Sequence, residues 1–180
     1  DALAPPSQSS YLSDLTWASA SNGWGPVERD TSNGEDQPLD GATLSIGGTT
    51  FAKGLGTHAQ SSITFPLGGQ CRRFTAQVGV DDEVDAGGSV VFSVVADGVE
   101  AFRSGVLGPG DGALPVSVDV TGVQSLRLVV SNGGDDTNGD HGDWADAFVT
   151  CGDAPPEFLS DRAWLSTTNG FGPVEPDLSN

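Results

Sequence analysis

Arg73-Phe74-Thr75-Ala76-Gln77-Val78-Gly79-Val80 alternates between an apolar face of Phe74, Ala76, Val78 and Val80 and a second face of Arg73, Thr75, Gln77 and Gly79. A period of two over eight residues is the mark of a β-strand with one face in a core. The same period recurs on both sides: Val90, Phe92 and Val94; Val116, Val118 and Val120; Leu126, Leu128 and Val130. No window of comparable length carries a 3.6-residue apolar stripe with helix caps. Asp97-Gly98, between Ser89–Ala96 and Val99–Arg103, is a hairpin signal, because this dipeptide tolerates the positive φ of a tight turn. Further turn clusters are read at Gly47-Gly48, Gly68-Gly69, Gly87-Gly88, Gly108–Gly112 and Asn132–Gly142. Many short strands with recurrent Gly-rich turns predict an all-β fold, an antiparallel β-sandwich ahead of a barrel.

The chain of 180 residues contains a long-range repeat. Tyr11 to Asn33 and Phe158 to Asn180 align without gaps with 14 of 23 positions identical, at an offset of 147 residues. That offset has the size of a domain, not of a solenoid repeat. Each copy follows an Ala-Pro-Pro spacer, Ala4-Pro5-Pro6 and Ala154-Pro155-Pro156. The expected organisation is a linker over 1–9, one complete module over 10–152, a Pro-rich linker over 153–157 and the opening of a second module over 158–180. The chain begins at Asp1 instead of Met and is read as a mature or excised piece.

Seven Lys and Arg face 25 Asp and Glu, for a formal net charge of -18. A surface so acidic repels phosphate backbones and anionic lipid, which argues against nucleic acid as a partner. No run approaches the ~20 apolar residues of a membrane span, so no membrane insertion is expected. Of the acids 19 are Asp and 6 are Glu, a choice suited to turns. Cys71 and Cys151, 80 residues apart with no CxxC, do not suggest zinc. A structural disulfide is expected over two buried free thiols, and it would imply an oxidising, secreted setting. Closing a loop that long is worth roughly 4 kcal/mol in the chain-entropy account.

The chemistry-bearing residues fall in stretches read as loops. Gly54-Leu55-Gly56-Thr57-His58-Ala59 brackets one histidine with glycines. Asp81-Asp82-Glu83-Val84-Asp85 follows a strand, and Asp135 to Asp146 reads DDTNGDHGDWAD. Clustered carboxylates imply either well-solvated turns or a bound hard cation such as calcium. An EF-hand register starting at Asp136 fails, with His141 at its sixth position and Ala147 at its twelfth. Trp24 and Trp144 sit beside Gly and Asp, as a sugar-stacking indole would, or seal the ends of the sandwich; Trp17 reads as core. Among the motifs absent are HExxH, GxSxG and GxxxxGK[ST], and no nucleophile marks either histidine, so this chain is not expected to be an enzyme.

One ordered set of segments carries a family resemblance: Tyr11-Leu12-Ser13-Asp14 with Trp17, Gly23-Trp24-Gly25 with Asp30, Lys53–Ala59, Val78-Gly79-Val80-Asp81-Asp82-Glu83, Gly88–Phe92, Asp97-Gly98, Ser104-Gly105 and Asp140–Ala147. Together these resemble the NPCBM domain, carbohydrate-binding module family fifty-one, over about residues 10 to 152. The resemblance implies a discoidin-like jelly-roll sandwich, non-catalytic, attached to a secreted bacterial glycoside hydrolase and recognising galactose-containing oligo- or polysaccharides, with a structural Ca2+. One departure is Gly142, where the family commonly has Ala within Asp-His-Ala-Asp-Trp. The sugar contacts so implied are Trp24, His58, Asp82, Asp140, His141 and Trp144, and the calcium ligands are Asp81, Asp143 and Asp146. Two alternatives stay open: the GLGTHA and DHGDW stretches contact sugar, or they lock together as a buried polar network. A structural spacer or adhesion domain without sugar binding is the alternative to a sugar-binding module.

Overall fold

The computed structural model describes residues 3–34 and 36–152. The linker at 153–157 and the second-module opening at 158–180 lie outside the described residues. Among the described residues thirteen strands form in chain order, as β1 (Ser10–Tyr11), β2 (Ser19–Ser21), β3 (Glu28–Arg29), β4 (Ser45–Ile46), β5 (Thr49–Thr50), β6 (Gly54–His58), β7 (Ser61–Pro66), β8 (Cys71–Val80), β9 (Val91–Ala96), β10 (Val99–Arg103), β11 (Leu114–Asp119), β12 (Ser125–Ser131) and β13 (His141–Cys151). A single 3-10 turn, Leu12–Asp14, is the only helical element among the described residues. The all-β expectation therefore holds.

Two antiparallel sheets face each other. One runs β11-β8-β13-β6-β3 with β1 also on β13, and the other runs β10-β9-β12-β7-β2. Between them lie Phe74, Ala76, Val78 and Val80 of β8, Val116 and Val118 of β11, and Phe92, Val94, Leu126, Leu128, Val130, Ile63 and Phe65 from the opposite sheet. The faces read from the sequence alternation are thus the faces the fold buries. Asp97 and Gly98 take φ 48° and 85° in the β9–β10 turn, and the Asp97 carboxylate accepts the amides of Gln124 and Ser125.

β13 is the organising strand. β8 pairs along its length, β6 pairs with His141–Ala145, and β1 pairs with Phe148–Val149. Cys71 opens β8 and Cys151 closes β13 as register partners, and the two are joined by a disulfide.

Two stretches read as loops are strands. Gly54–His58 is β6, buried throughout, and His141–Asp146 opens β13. Their glycines are sites of close approach, not turns. A Cβ on Gly56 would stand 2.4 Å from Thr31 O and from Ser32 C, and one on Gly79 would stand 2.4 Å from Ile46 Cγ2. Thr31–Asn33 and Leu44–Ile46 therefore lie against the outer face of the larger sheet, with Leu44 and Ile46 buried there. Trp17, read as core, is only half-buried, edge-on to Phe65 with the Arg29 guanidinium 3.8 Å from its ring centre.

Gly56→Ala is expected to destabilise the fold by about 1–3 kcal/mol through overpacking against backbone that cannot move aside. Thermal unfolding checks this, and an unchanged Tm would show that the covering segment is loosely laid.

Candidate functional site

At one end of the sandwich, β6 and β13 run in register with His58 opposite His141. Their rings lie 5.1 Å apart, centre to centre. The Trp24 indole meets the His58 ring edge-on at 5.8 Å and is 51 % exposed. His141 Nδ1 lies 2.7 Å from Glu83 Oε1, and the Ser32 hydroxyl donates to Glu83 Oε2 at 3.0 Å. With Nδ1–H donating to the carboxylate, the neutral ring keeps Nε2 as an acceptor. A row of Trp24, His58, His141 and Glu83 thus crosses this end.

The row is held by short polar side chains. Asn22 Oδ1 accepts the His58 amide, while its Nδ2 donates to the carbonyls of Trp24 and Pro26 and to Asn33 Oδ1. Gly23 donates its N–H to the His58 carbonyl, and a Cβ there would stand 2.1 Å from Ala59 O. Only glycine lets the Trp24 loop lie against β6. Beside the row opens a groove of about 760 Å³, lined by Asn33, Asp36, Asp40, Glu83, Asp85 and His141 among others. It is a shallow acidic surface rich in hydrogen-bond acceptors.

The residues expected to contact sugar separate into three groups. Trp24 and His141 reach the surface of the site, and His58, 3 % exposed, supports them from beneath. Asp82 is turned to the β4–β5 hairpin, where it accepts the Ser45 hydroxyl and the amides of Gly47 and Gly48. Those donors, the Ser45 hydroxyl foremost, hold its carboxyl below the usual range. Asp140 is buried and accepts the Ser89 amide, which ties the 86–89 loop to the start of β13. Trp144 is fully buried, packed edge-on against Phe92 and tilted against Phe74, and offers no face to a ligand. Its strand neighbours alternate outward while it points into the core. Of the two alternatives left open, the GLGTHA and DHGDW stretches do interlock through paired strands, with His141 as the member that reaches the groove. Glu83, Asn22 and Asn33 belong to the site and were not singled out. Glu83 stood in the quoted acidic run, where its only distinguishing signal was the longer side chain.

The three aspartates expected to bind calcium are not brought together. Asp146 sits exposed at a bulge in β13, with φ 47° and its amide on the Lys53 carbonyl. Asp81 and Asp143 do meet. Asp143 is 0 % exposed, is flanked in register by Gly56 and Gly79, and neither of its carboxylate oxygens has a partner among the described residues. Asp81 is also buried and accepts the amides of Ser45 and Glu83. Burial pushes the Asp143 carboxyl well above its ordinary range, and the neighbouring Asp81 and Glu83 push it further. A bare carboxylate there would be strongly unfavourable, so it must hold a proton or a cation. A buried carboxylate with both oxygens unfilled, beside a second carboxylate, suits a hard cation, although no group of three or more His, Cys, Asp or Glu side chains converges among the described residues. Backbone carbonyls and water would have to complete the shell.

Residues 8–150 match the family model described as NPCBM/NEW2 domain. A Renibacterium salmoninarum protein named as an endo-alpha-N-acetylgalactosaminidase is 43 % identical over 148 residues, covering 82 % of this chain and 10 % of that protein. The alpha-1,3-galactosidase B of Akkermansia muciniphila is 37 % identical over 122 residues, covering 65 % of this chain and 15 % of that protein. The chain thus spans a small fraction of these relatives. Among solved structures, the CBM51 of Clostridium perfringens GH95 in complex with methyl-galactose has 37 % identity and a TM-score of 0.72, covering 79 % of this chain and 99 % of that one.

In metal-free buffer the Asp143 carboxyl favours the fold only while protonated. Its contribution is full below the unfolded pKa near 4 and is lost as pH rises through the raised folded value. The expected outcome in chelator is a Tm that declines from about pH 4 toward pH 7, with the decline reduced in Asp143→Asn. Parallel profiles for the two proteins would contradict it.

Proposed function

This chain belongs to the NPCBM/NEW2 domain family, and from that premise we propose that it is a non-catalytic sugar-binding module whose site is the Trp24–His58–His141–Glu83 row and the acidic groove beside it. The observation that carries this reading is the pairing of a half-exposed indole with a ring of short acceptors on one rigid sheet end. A hexose presents an apolar C–H face and a rim of hydroxyls. Trp24 covers the first, while His141 Nε2, the Glu83 carboxylate and Asn33 serve the second. Galactose is the favoured sugar, because the relative solved with methyl-galactose is 37 % identical to this chain and aligns over nearly its whole length. The negative groove favours neutral sugars over sulfated or sialylated ones.

The module brings an attached catalytic domain to its glycan in a secreted bacterial protein. The long relatives named for glycosidase activity support that arrangement, and the Cys71–Cys151 disulfide suits an oxidising compartment. No helix among the described residues is long and apolar enough to cross a membrane. One binding site of this shallow kind gives a Kd of about millimolar to micromolar, so a second copy would act through avidity. Asp143 and Asp81 would hold a structural calcium, which would neutralise the buried pair and fix the β4–β5 hairpin over the sheet through Ser45.

Titration calorimetry with methyl galactoside tests the reading. Trp24→Ala is expected to weaken binding roughly tenfold, a stacking contribution of about 1.4 kcal/mol, with Tm unchanged because the indole is half-exposed. Absence of galactoside binding by the wild type at millimolar probe would favour the spacer or adhesion alternative. Chelator at pH 7 is expected to lower Tm, and calcium to restore it; an unchanged Tm would remove calcium from the account.

A further inference from the structure

Asparagine followed by glycine is a chemically labile step in a protein chain, because no glycine side chain hinders attack of the glycine nitrogen on the asparagine side-chain carbonyl. The described residues hold it four times, as Asn22-Gly23, Asn33-Gly34, Asn132-Gly133 and Asn138-Gly139. A further pair, Asn169-Gly170, lies outside the described residues. By sequence the four are equivalent, so their fates are set by what the fold does with each.

Attack requires a side chain free to turn its Cγ onto the next nitrogen and a main-chain N–H free to lose its proton. Asn22 has neither freedom. Its Oδ1 accepts the His58 amide at 2.8 Å, and its Nδ2 donates to Trp24 O at 2.7 Å, Pro26 O at 2.9 Å and Asn33 Oδ1 at 2.8 Å. The Gly23 N–H is spent on the His58 carbonyl at 3.0 Å. Asn33 is 2 % exposed, and its Oδ1 is held by Asn22. Asn132 is half-buried, with its Nδ2 donating to the Asp135 carbonyl at 3.0 Å. Asn138 differs from all three. It is exposed, and among the described residues neither its side-chain amide nor the Gly139 N–H has a hydrogen-bond partner. The next residue, Gly139, lines the acidic groove together with His141.

We propose that Asn138 is a self-modification site at the rim of the groove, converting to isoaspartate and aspartate, while the two asparagines that hold the Trp24 row are kept intact by their hydrogen bonds and burial. In the first step the Gly139 nitrogen gives its proton to solvent and bonds to Asn138 Cγ. The Cγ–Nδ2 bond breaks and Nδ2 leaves as ammonia, taking a proton from solvent, which closes a succinimide ring. Water then opens that ring. Cleavage of the bond from the Gly139 nitrogen to the Asn138 main-chain carbonyl carbon routes the chain through Cγ as isoaspartate, and cleavage of the new bond leaves aspartate. Either product adds a carboxylate to the run that already holds Asp135, Asp136 and Asp140. Isoaspartate also lengthens the main chain by one carbon immediately before Gly139.

Peptide mapping by mass spectrometry of the full chain, aged in mildly alkaline buffer with and without urea, tests this. In the folded chain Asn138 is expected to show the amide-to-acid mass change at least roughly tenfold faster than Asn22 or Asn33, which must wait for local opening. Asn132 is expected to fall between them, and the four rates to converge in urea. In Asn138→Gln, whose longer side chain closes a ring far more slowly, the early product should disappear. Modification of Asn22 or Asn33 ahead of Asn138 in the folded chain would overturn the proposal. So would the same spread of rates in urea, or a folded Asn138 that stays intact as long as Asn22 does.

Discussion

A buried carboxylate sets the terms for this end of the molecule. Asp143 projects from the central strand β13 onto the outer face of the larger sheet, where Gly56 and Gly79 on either side leave it room. Thr31–Asn33 and Ile46 lie over those glycines, and Asp81 stands beside it. The cover can seat only where glycine removes the side chains beneath it, and the carboxylate can be buried only with its charge compensated. Space and charge are thus met on the same three strands.

The geometry of the proposed sugar site follows from that cover. Its first turn supplies Ser32 and Asn33, which fix Glu83 and, through Asn22, the loop that carries Trp24. Its hairpin is fixed by Asp81 and Asp82, the residues immediately before Glu83. The ligand-facing side chains are few, and most of the polar residues around them are occupied in holding one another. That division would let a shallow surface bind without a deep cleft, since little ordering is left to be done on binding.

The inward faces of β8, β11 and β12 were legible because period-two alternation is a direct consequence of the pleat. The hairpin at Asp97-Gly98 was legible from turn chemistry, and the family from the order of its motifs. The strands at Gly54–His58 and His141–Asp146 were misread as loops because local composition presents Gly and Asp as turn formers. Only the packing of a distant segment reveals the glycines as close contacts. Trp144 illustrates the same limit: an indole between two aspartates looks exposed until the strand register alternates it inward. Asp82 and Asp140 look alike in sequence to any ligand-binding Asp, and their occupation by backbone amides depends on partners 34 to 51 residues away. The aspartate excess noted in the composition therefore divides among turn caps, a buried pair and the walls of a groove.

The central claim is that the ordered end bounded by Trp24, His141 and Glu83 is where a neutral hexose binds. A crystal structure of this chain grown with methyl galactoside tests it most directly. The account predicts the sugar with its C–H face on the Trp24 indole and hydroxyls within hydrogen-bond distance of His141 and Glu83. A galactoside found elsewhere on the sandwich, with that end untouched, would contradict it.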